Sequence, residues 1–109
     1  MGPNRYETMF NPASVAVVGA GEGGDSVGAQ VFANIIAAGF EGELFPVNPH
    51  HAQVLGRKCF ASVTEIGAPV DLAVIATPAA TIPGILAECG KAGITSVVVL
   101  SAGFGEIGE

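Results

Sequence analysis

One stretch narrows what this chain can fold into more than any other: Ser14 to Gly28, reading SVAVVGAGEGGDSVG. Val15 to Val18 is a short apolar, β-branched run, the pattern of a strand covered on both faces. Gly19, Gly21, Gly23 and Gly24 then break the chain before Asp25 and Ser26 open a helical pattern. The predicted helix carries Val27, Val31, Ile35, Ile36 and Ala38 on one face, and Gly39 supplies its stop signal. A strand that ends in glycines and feeds a helix leaves backbone N–H groups pointing outward at the positive end of a helix dipole. Such a place suits an anion, phosphate above all. Gly19 to Gly24 also spells G-x-G-x-x-G. In a chain with 16 glycines that spelling is weak by itself, since a plain strand-to-helix turn can carry the same letters.

The remainder of the chain repeats the alternation. Phe10-Asn11-Pro12 reads as a lead-in turn that sets an aromatic ring beside the first strand. Leu44 to Val47 is a second strand, closed by Asn48-Pro49; residues 50 to 56 form a loop or a single helical turn. Arg57 to Phe60 is a short edge strand, and Ser62 to Glu65 carries a capping-box pattern for a short helix. Val70 to Ala76 is a buried strand stopped by Thr77-Pro78. Thr81 to Ala92 is helical, with Ile82, Ile85, Leu86 and Cys89 inward, Pro83 tolerated in the first turn and Gly93 as the stop. Ser96 to Leu100 is the last strand.

Alternating strands and helices predict an α/β fold: a Rossmann-like, doubly wound parallel sheet of about five strands, in one domain over residues 1–109. Right-handed crossovers give the strand order 3-2-1-4-5. A ligand crevice then lies beyond the carboxyl ends of the strands, between the first and fourth. Residues 19–28, 48–51, 76–79 and 101–103 converge there, all small or turn-forming. Ten acidic against four basic residues, with no basic stripe, exclude a nucleic-acid partner as the expectation. No apolar run approaches the roughly 20 residues of a membrane span, no signal-peptide pattern is present, and a cytoplasmic location is expected. Cys59 and Cys89 read as reduced core thiols rather than a disulfide or metal site.

The identity of the nucleotide is constrained by the second strand. An NAD site in this fold uses an acidic residue there to bind the ribose diol. This strand ends Phe45-Pro46-Val47-Asn48-Pro49, without a carboxylate. The helix also begins near Ser26, several residues beyond the first motif glycines, so that Gly28 takes over the close helix–strand contact. A mononucleotide or a coenzyme with a pyrophosphate fits better than NAD.

Several passages together resemble a known family. Gly19-Ala20, Ser26-Val27-Gly28, Phe45 to Pro49, Val70 to Ala79 and Leu100 to Phe104 are similar, in the right order, to the CoA-binding domain of NDP-forming acyl-CoA synthetases. The α subunit of succinyl-CoA synthetase is a more distant relative, and the same domain heads some protein-lysine acetyltransferases. The resemblance runs from about Phe10 to Glu106. It implies coenzyme A or acyl-CoA as ligand and further domains of a parent enzyme as partners. In such enzymes another domain carries the phosphorylated histidine and an ATP-grasp portion handles the nucleotide. His50 and His51 match neither role, so the 109 residues are expected to be a binding module, without catalysis of their own.

The resemblance also implies roles. Gly19, Ala20, Gly21, Ser26, Val27 and Gly28 would hold the CoA phosphates through backbone N–H groups, with Ser26 adding its hydroxyl or serving only as N-cap. Asn48 and Pro49 would shape the adenine and ribose side. His50 and His51 fall where synthetase relatives carry lysine; solvated loop histidines are the alternative. Ala76, Thr77 and Pro78 would flank the pantetheine arm, and Ser101, Ala102 and Gly103 would face the thiol end. Glu22 and Asp25 place negative charge in the loop meant for phosphate, which leaves Arg57, Lys58 and the two histidines for the 3′-phosphate. Three rival readings remain: a stand-alone CoA-sensing module, an NAD-type domain, and a Rossmann-like interaction domain without nucleotide affinity.

Overall fold

A computed structural model describes residues 12–22 and 26–100; the predicted Phe10-Asn11 lead-in and Ser101 to Gly103 lie outside them. Its centre is β1 (Ser14–Val18), buried at all five positions. Parallel neighbours lie on both sides: β2 (Glu43–Val47) on one, β5 (Leu72–Ile75) on the other, with β6 (Ser96–Val99) beyond β5. The order β2-β1-β5-β6 is that of the predicted doubly wound sheet. The apolar run Val15 to Val18 of β1 follows from its position, because both of its faces are roofed. Its first residue is the polar exception. Buried Ser14 donates to the Pro69 carbonyl at 3.0 Å and accepts from the Asp71 amide at 2.9 Å, which fixes the start of β5 beside the start of β1.

The third predicted strand is corrected. Arg57–Lys58 (β4) pairs antiparallel with Gln53–Val54 (β3) in a separate hairpin, and the main sheet gains only one bridge, Val47 to Phe60. Pro46 supplies the reason. Its carbonyl accepts from the Phe60 amide at 3.0 Å, so its nitrogen faces the same outer edge and has no hydrogen to offer a further strand. The hairpin turns at Leu55-Gly56, both with positive φ (49° and 81°), the backbone of a type I′ turn. Residues 50–56, expected as loop or helical turn, thus contain a strand. The capping box at Ser62 is also corrected: a single 3-10 turn, Val63–Glu65, follows it, and the Ser62 hydroxyl meets Thr64 Oγ1 at 2.7 Å instead of an amide.

Two helices cover the sheet. In α1 (Val27–Ala37) the buried line is Gly28, Ala29 and Phe32, not the predicted one. Val31, Ile35 and Ile36 pack at the flank of this line, and Ala38 is exposed. Gly28 lies so close to the end of β1 that the side of the helix carrying it is the side that turns inward. In α2 (Ile82–Lys91), preceded by a 3-10 turn at Ala79–Thr81, Ile82, Ile85 and Cys89 face inward as expected, but Leu86 is 43% exposed. Both helices stop at the predicted glycines. Gly39 bonds to Ile36 and Phe40 to Ile35; Gly93 bonds to Gly90 and Ile94 to Cys89, each pair a Schellman ending. One core cluster lies under α2 around Ile75, Val63 and Cys89, the other under α1 around Val17, Phe32 and Val54. Among the described residues no helix is long and apolar enough to cross a membrane.

Candidate functional site: a crevice at the carboxyl ends of the strands

A cavity of about 530 Å³ opens where β1, β2 and β5 end. Gly19 closes its floor, Asn48 to His50 form one wall, and Ala76 to Pro78 form another. Thr81, at the N-cap of α2, and Ile85 and Glu88 on the same side of that helix complete it; the sequence places only Ile85 inward and assigns none of the three to the site. Their spacing of four and three residues was the signal available. A groove of about 610 Å³ lies at the other end of the sheet beside Pro69, Asp71 and Gly93, away from the glycine loop. Asp71 accepts there from the Ala13 amide at 2.8 Å, an internal contact.

Two glycines make the crevice possible. Gly19 has φ +96°, and a Cβ on it would stand 2.6 Å from the Ala76 carbonyl oxygen and 3.0 Å from Thr77 Cγ2. A Cβ on Gly28 would stand 2.0 Å from the Gly19 carbonyl oxygen. The predicted close contact of helix and strand is therefore present. One expected donor is spent, however: the Gly19 amide bonds to the Val47 carbonyl at 2.8 Å. Ser26 is the N-cap of α1, its Oγ accepting from the Ala29 amide at 3.1 Å. The Gln30 amide takes the Ser26 carbonyl, so the amides of Val27 and Gly28 come before the first intrahelical bond, in the turn that faces the positive end of the dipole.

Segment 48–51 is built against this loop. Asn48 donates from Nδ2 to the Ala20 carbonyl at 2.8 Å and accepts at Oδ1 from the His50 amide at 2.9 Å. The side chain of the residue that follows β2 is thus a brace between two loops, and as an amide it brings no carboxylate to a ribose diol. Pro49 and His50 line the crevice, while exposed His51 sets Nε2 3.7 Å from where a Cβ on Gly21 would be. On the other wall the Thr81 hydroxyl donates to the Pro78 carbonyl at 2.6 Å and lies 2.7 Å from Thr77 Oγ1. Behind the loop, Cys59 is buried, and burial pushes its thiol up. Arg57 and Lys58 are exposed on the hairpin, with Lys58 Nζ 5.2 Å from the centre of the Phe60 ring.

A family profile described as a CoA binding domain matches residues 13–106. This chain belongs to the CoA-binding domain family. Relatives of the domain are subunits of NDP-forming acyl-CoA synthetases. The alpha subunit of ADP-forming acetate–CoA ligase I from Pyrococcus furiosus is 44% identical over 107 residues, which cover 94% of this chain and 23% of that protein. A dinucleotide-forming acetyl-coenzyme A synthetase 1 from Ca. Korarchaeum cryptofilum, solved with phosphate and ADP, superposes with a TM-score of 0.86 at 39% identity. It is matched over 94% of this chain and 22% of its own. This chain therefore spans less than a quarter of the length of either relative. A conserved hypothetical protein from Pyrococcus furiosus, at 29% identity and TM-score 0.73, is covered over 73% of its own chain.

Proposed function

We propose that this chain binds coenzyme A or acyl-CoA, as the CoA-binding module of an NDP-forming acyl-CoA ligase. The observation that carries the reading is the Asn48 network: the residue that would have to bind a ribose diol for NAD is instead a strut holding the glycine loop. The amides of Val27 and Gly28, with those of Ala20 and Gly21, receive the pyrophosphate. The mostly apolar crevice along Ala76, Thr77, Pro78 and Ile85 takes the pantetheine arm. His50 and His51 stand beside the phosphates as the nearest ionisable donors. Coenzyme A supplies the thiol that is acylated; these residues hold and orient it, and phosphoryl chemistry belongs to the further domains of the parent. Ser101, Ala102 and Gly103 are assigned to the thiol end on family resemblance alone. A second reading, a stand-alone CoA-binding module, is supported by the Pyrococcus furiosus chain that this fold covers over 73% of its length.

Thermal unfolding with added ligand tests the proposal. A ligand that binds only the folded state adds about 2.7 kcal/mol at 100 times its Kd. For a domain of this size each kcal/mol moves Tm by roughly 4–8 °C. Saturating CoA is expected to raise Tm on the order of 10 °C, and NAD at equal concentration to leave it unchanged. A larger shift with NAD than with CoA overturns the assignment.

A further inference from the structure

Glu22 is the acidic residue that ought to weaken an anion site, and the structure gives it another occupation. Its carboxylate accepts a hydrogen bond from the backbone amide of Leu55, at the tip of the β3–β4 hairpin. Leu55 holds a positive φ of 49°, a region costly for a side chain of its size, and its neighbour Val54 is fully buried in the cluster under α1. The hairpin tip is therefore a fixed post. Three consecutive loop residues are tied to the segment from Asn48 to Leu55: Ala20 through Asn48 Nδ2, Gly21 beside His51, and Glu22 through the Leu55 amide.

We infer that Glu22 is a positioning residue for the anion site, a strap that holds the glycine loop open in its receptive form. This rests on the CoA reading above. Gly19 and Gly21 have no Cβ to restrict their backbone, and an amide aimed at a phosphate must be held there against that freedom. Asn48 fixes the start of the loop and Ser26 its end. The strap fixes the middle, and its carboxylate is satisfied by an amide rather than turned toward the ligand. The negative charge is a cost of the device, and hydrogen-bond acceptance is its use.

Two substitutions separate charge from strap. Glu22→Gln keeps a carbonyl that accepts from Leu55 and removes the charge; Glu22→Ala removes both. If the receptive loop falls to roughly a tenth of the population in Glu22→Ala, its CoA affinity falls about tenfold. Glu22→Gln is expected to match wild type or bind about 2–5-fold tighter, because a like charge near the anion is gone. That gain should shrink as salt is added. Tighter binding by both variants would make Glu22 a mere repulsive charge and overturn the strap, as would equal affinity in all three proteins. Amide hydrogen exchange at Leu55, measured without ligand, reads the strap independently: protection in wild type and Glu22→Gln, lost in Glu22→Ala. Absence of protection in wild type overturns the inference even if CoA binds. Failure of wild type to bind CoA, with Leu55 protected, instead overturns the functional reading and with it the strap's role in binding.

Discussion

Two glycines of this chain carry opposite consequences for the same kind of substitution. Gly28 has the Gly19 carbonyl oxygen 2.0 Å from any Cβ it might acquire, and that oxygen belongs to the backbone, which has nowhere to move. Gly28→Val is expected to cost at least about 1–3 kcal/mol and to abolish CoA binding, since α1 must leave β1 and carry its first-turn amides away. Gly84, inside α2, meets nothing within 4 Å. Gly84→Ala should stabilise the fold by about 0.5–1 kcal/mol through helix propensity alone, leaving CoA affinity unchanged. Denaturant unfolding and calorimetric titration of the two variants check both statements. If Gly28→Val retains wild-type affinity, the phosphates do not sit at the α1 N-terminus. The Gly28 contact could be anticipated from its distance past the motif glycines. The spent amide of Gly19 could not, because its acceptor, Val47, arrives only when β2 is laid beside β1.

Among the secondary-structure elements, β6 is the one whose composition and place disagree. It forms the margin of the sheet, yet Val98, Val99 and Leu100 are each 37% exposed. Val97 packs against the cluster under α2, so Val98 faces the opposite side. Leu100 bonds to the Ile75 carbonyl, and by alternation Val97 and Val99 turn their amides and carbonyls to the free edge. Among the described residues no strand pairs with that edge, and no lysine or proline guards it within Ser96–Val99, so it is a template for strand addition. Val98→Lys is expected to reduce aggregation of the isolated chain during thermal unfolding or concentration, with an unchanged circular dichroism spectrum. Light scattering as high as that of wild type would locate the sticky surface elsewhere. The other margin shows the contrary solution: Pro46 withholds one donor from a third strand, and Arg57–Lys58 folds away into a hairpin with its two side chains exposed.

For the molecule as a unit, the two buried thiols tie stability to alkaline pH. Burial pushes both Cys59 and Cys89 up, and the neighbouring Glu88 charge adds to the effect at Cys89. The unfolded chain then loses these protons at lower pH than the folded one, beginning near about pH 8.5 for an ordinary thiol. Their contribution to stability is complete below that value and is lost as pH rises through it toward the folded values. Urea midpoints should therefore decline between about pH 8 and 10, and Cys89→Ala should flatten part of the decline although it lowers stability at neutral pH by leaving a small cavity. A midpoint that falls equally steeply in Cys89→Ala would assign the loss to other groups. Both thiols should also react slowly with a disulfide reagent until the chain unfolds.

Local sequence was sufficient for whatever depends on neighbours in the chain. The run Val15 to Val18 made a strand, Ser26 a cap, Gly39 and Gly93 stops, and the order β2-β1-β5-β6 followed from alternation and handedness. The crevice at the strand ends followed from the same rules. Tertiary structure decided what depends on distant partners. Phe32 rather than Ile35 became the buried centre of α1, because periodicity defines a face only to within a residue and the Gly28 contact chose among the alternatives. The hairpin replaced a third strand, because a proline can tell which edge it spoils only after the sheet has formed. Glu22 read as a defect in an anion loop until the Leu55 amide, 33 residues away in sequence, was brought to its carboxylate. A carboxylate's meaning lies in what it touches, and that contact exists only once the hairpin has packed Val54 into the core.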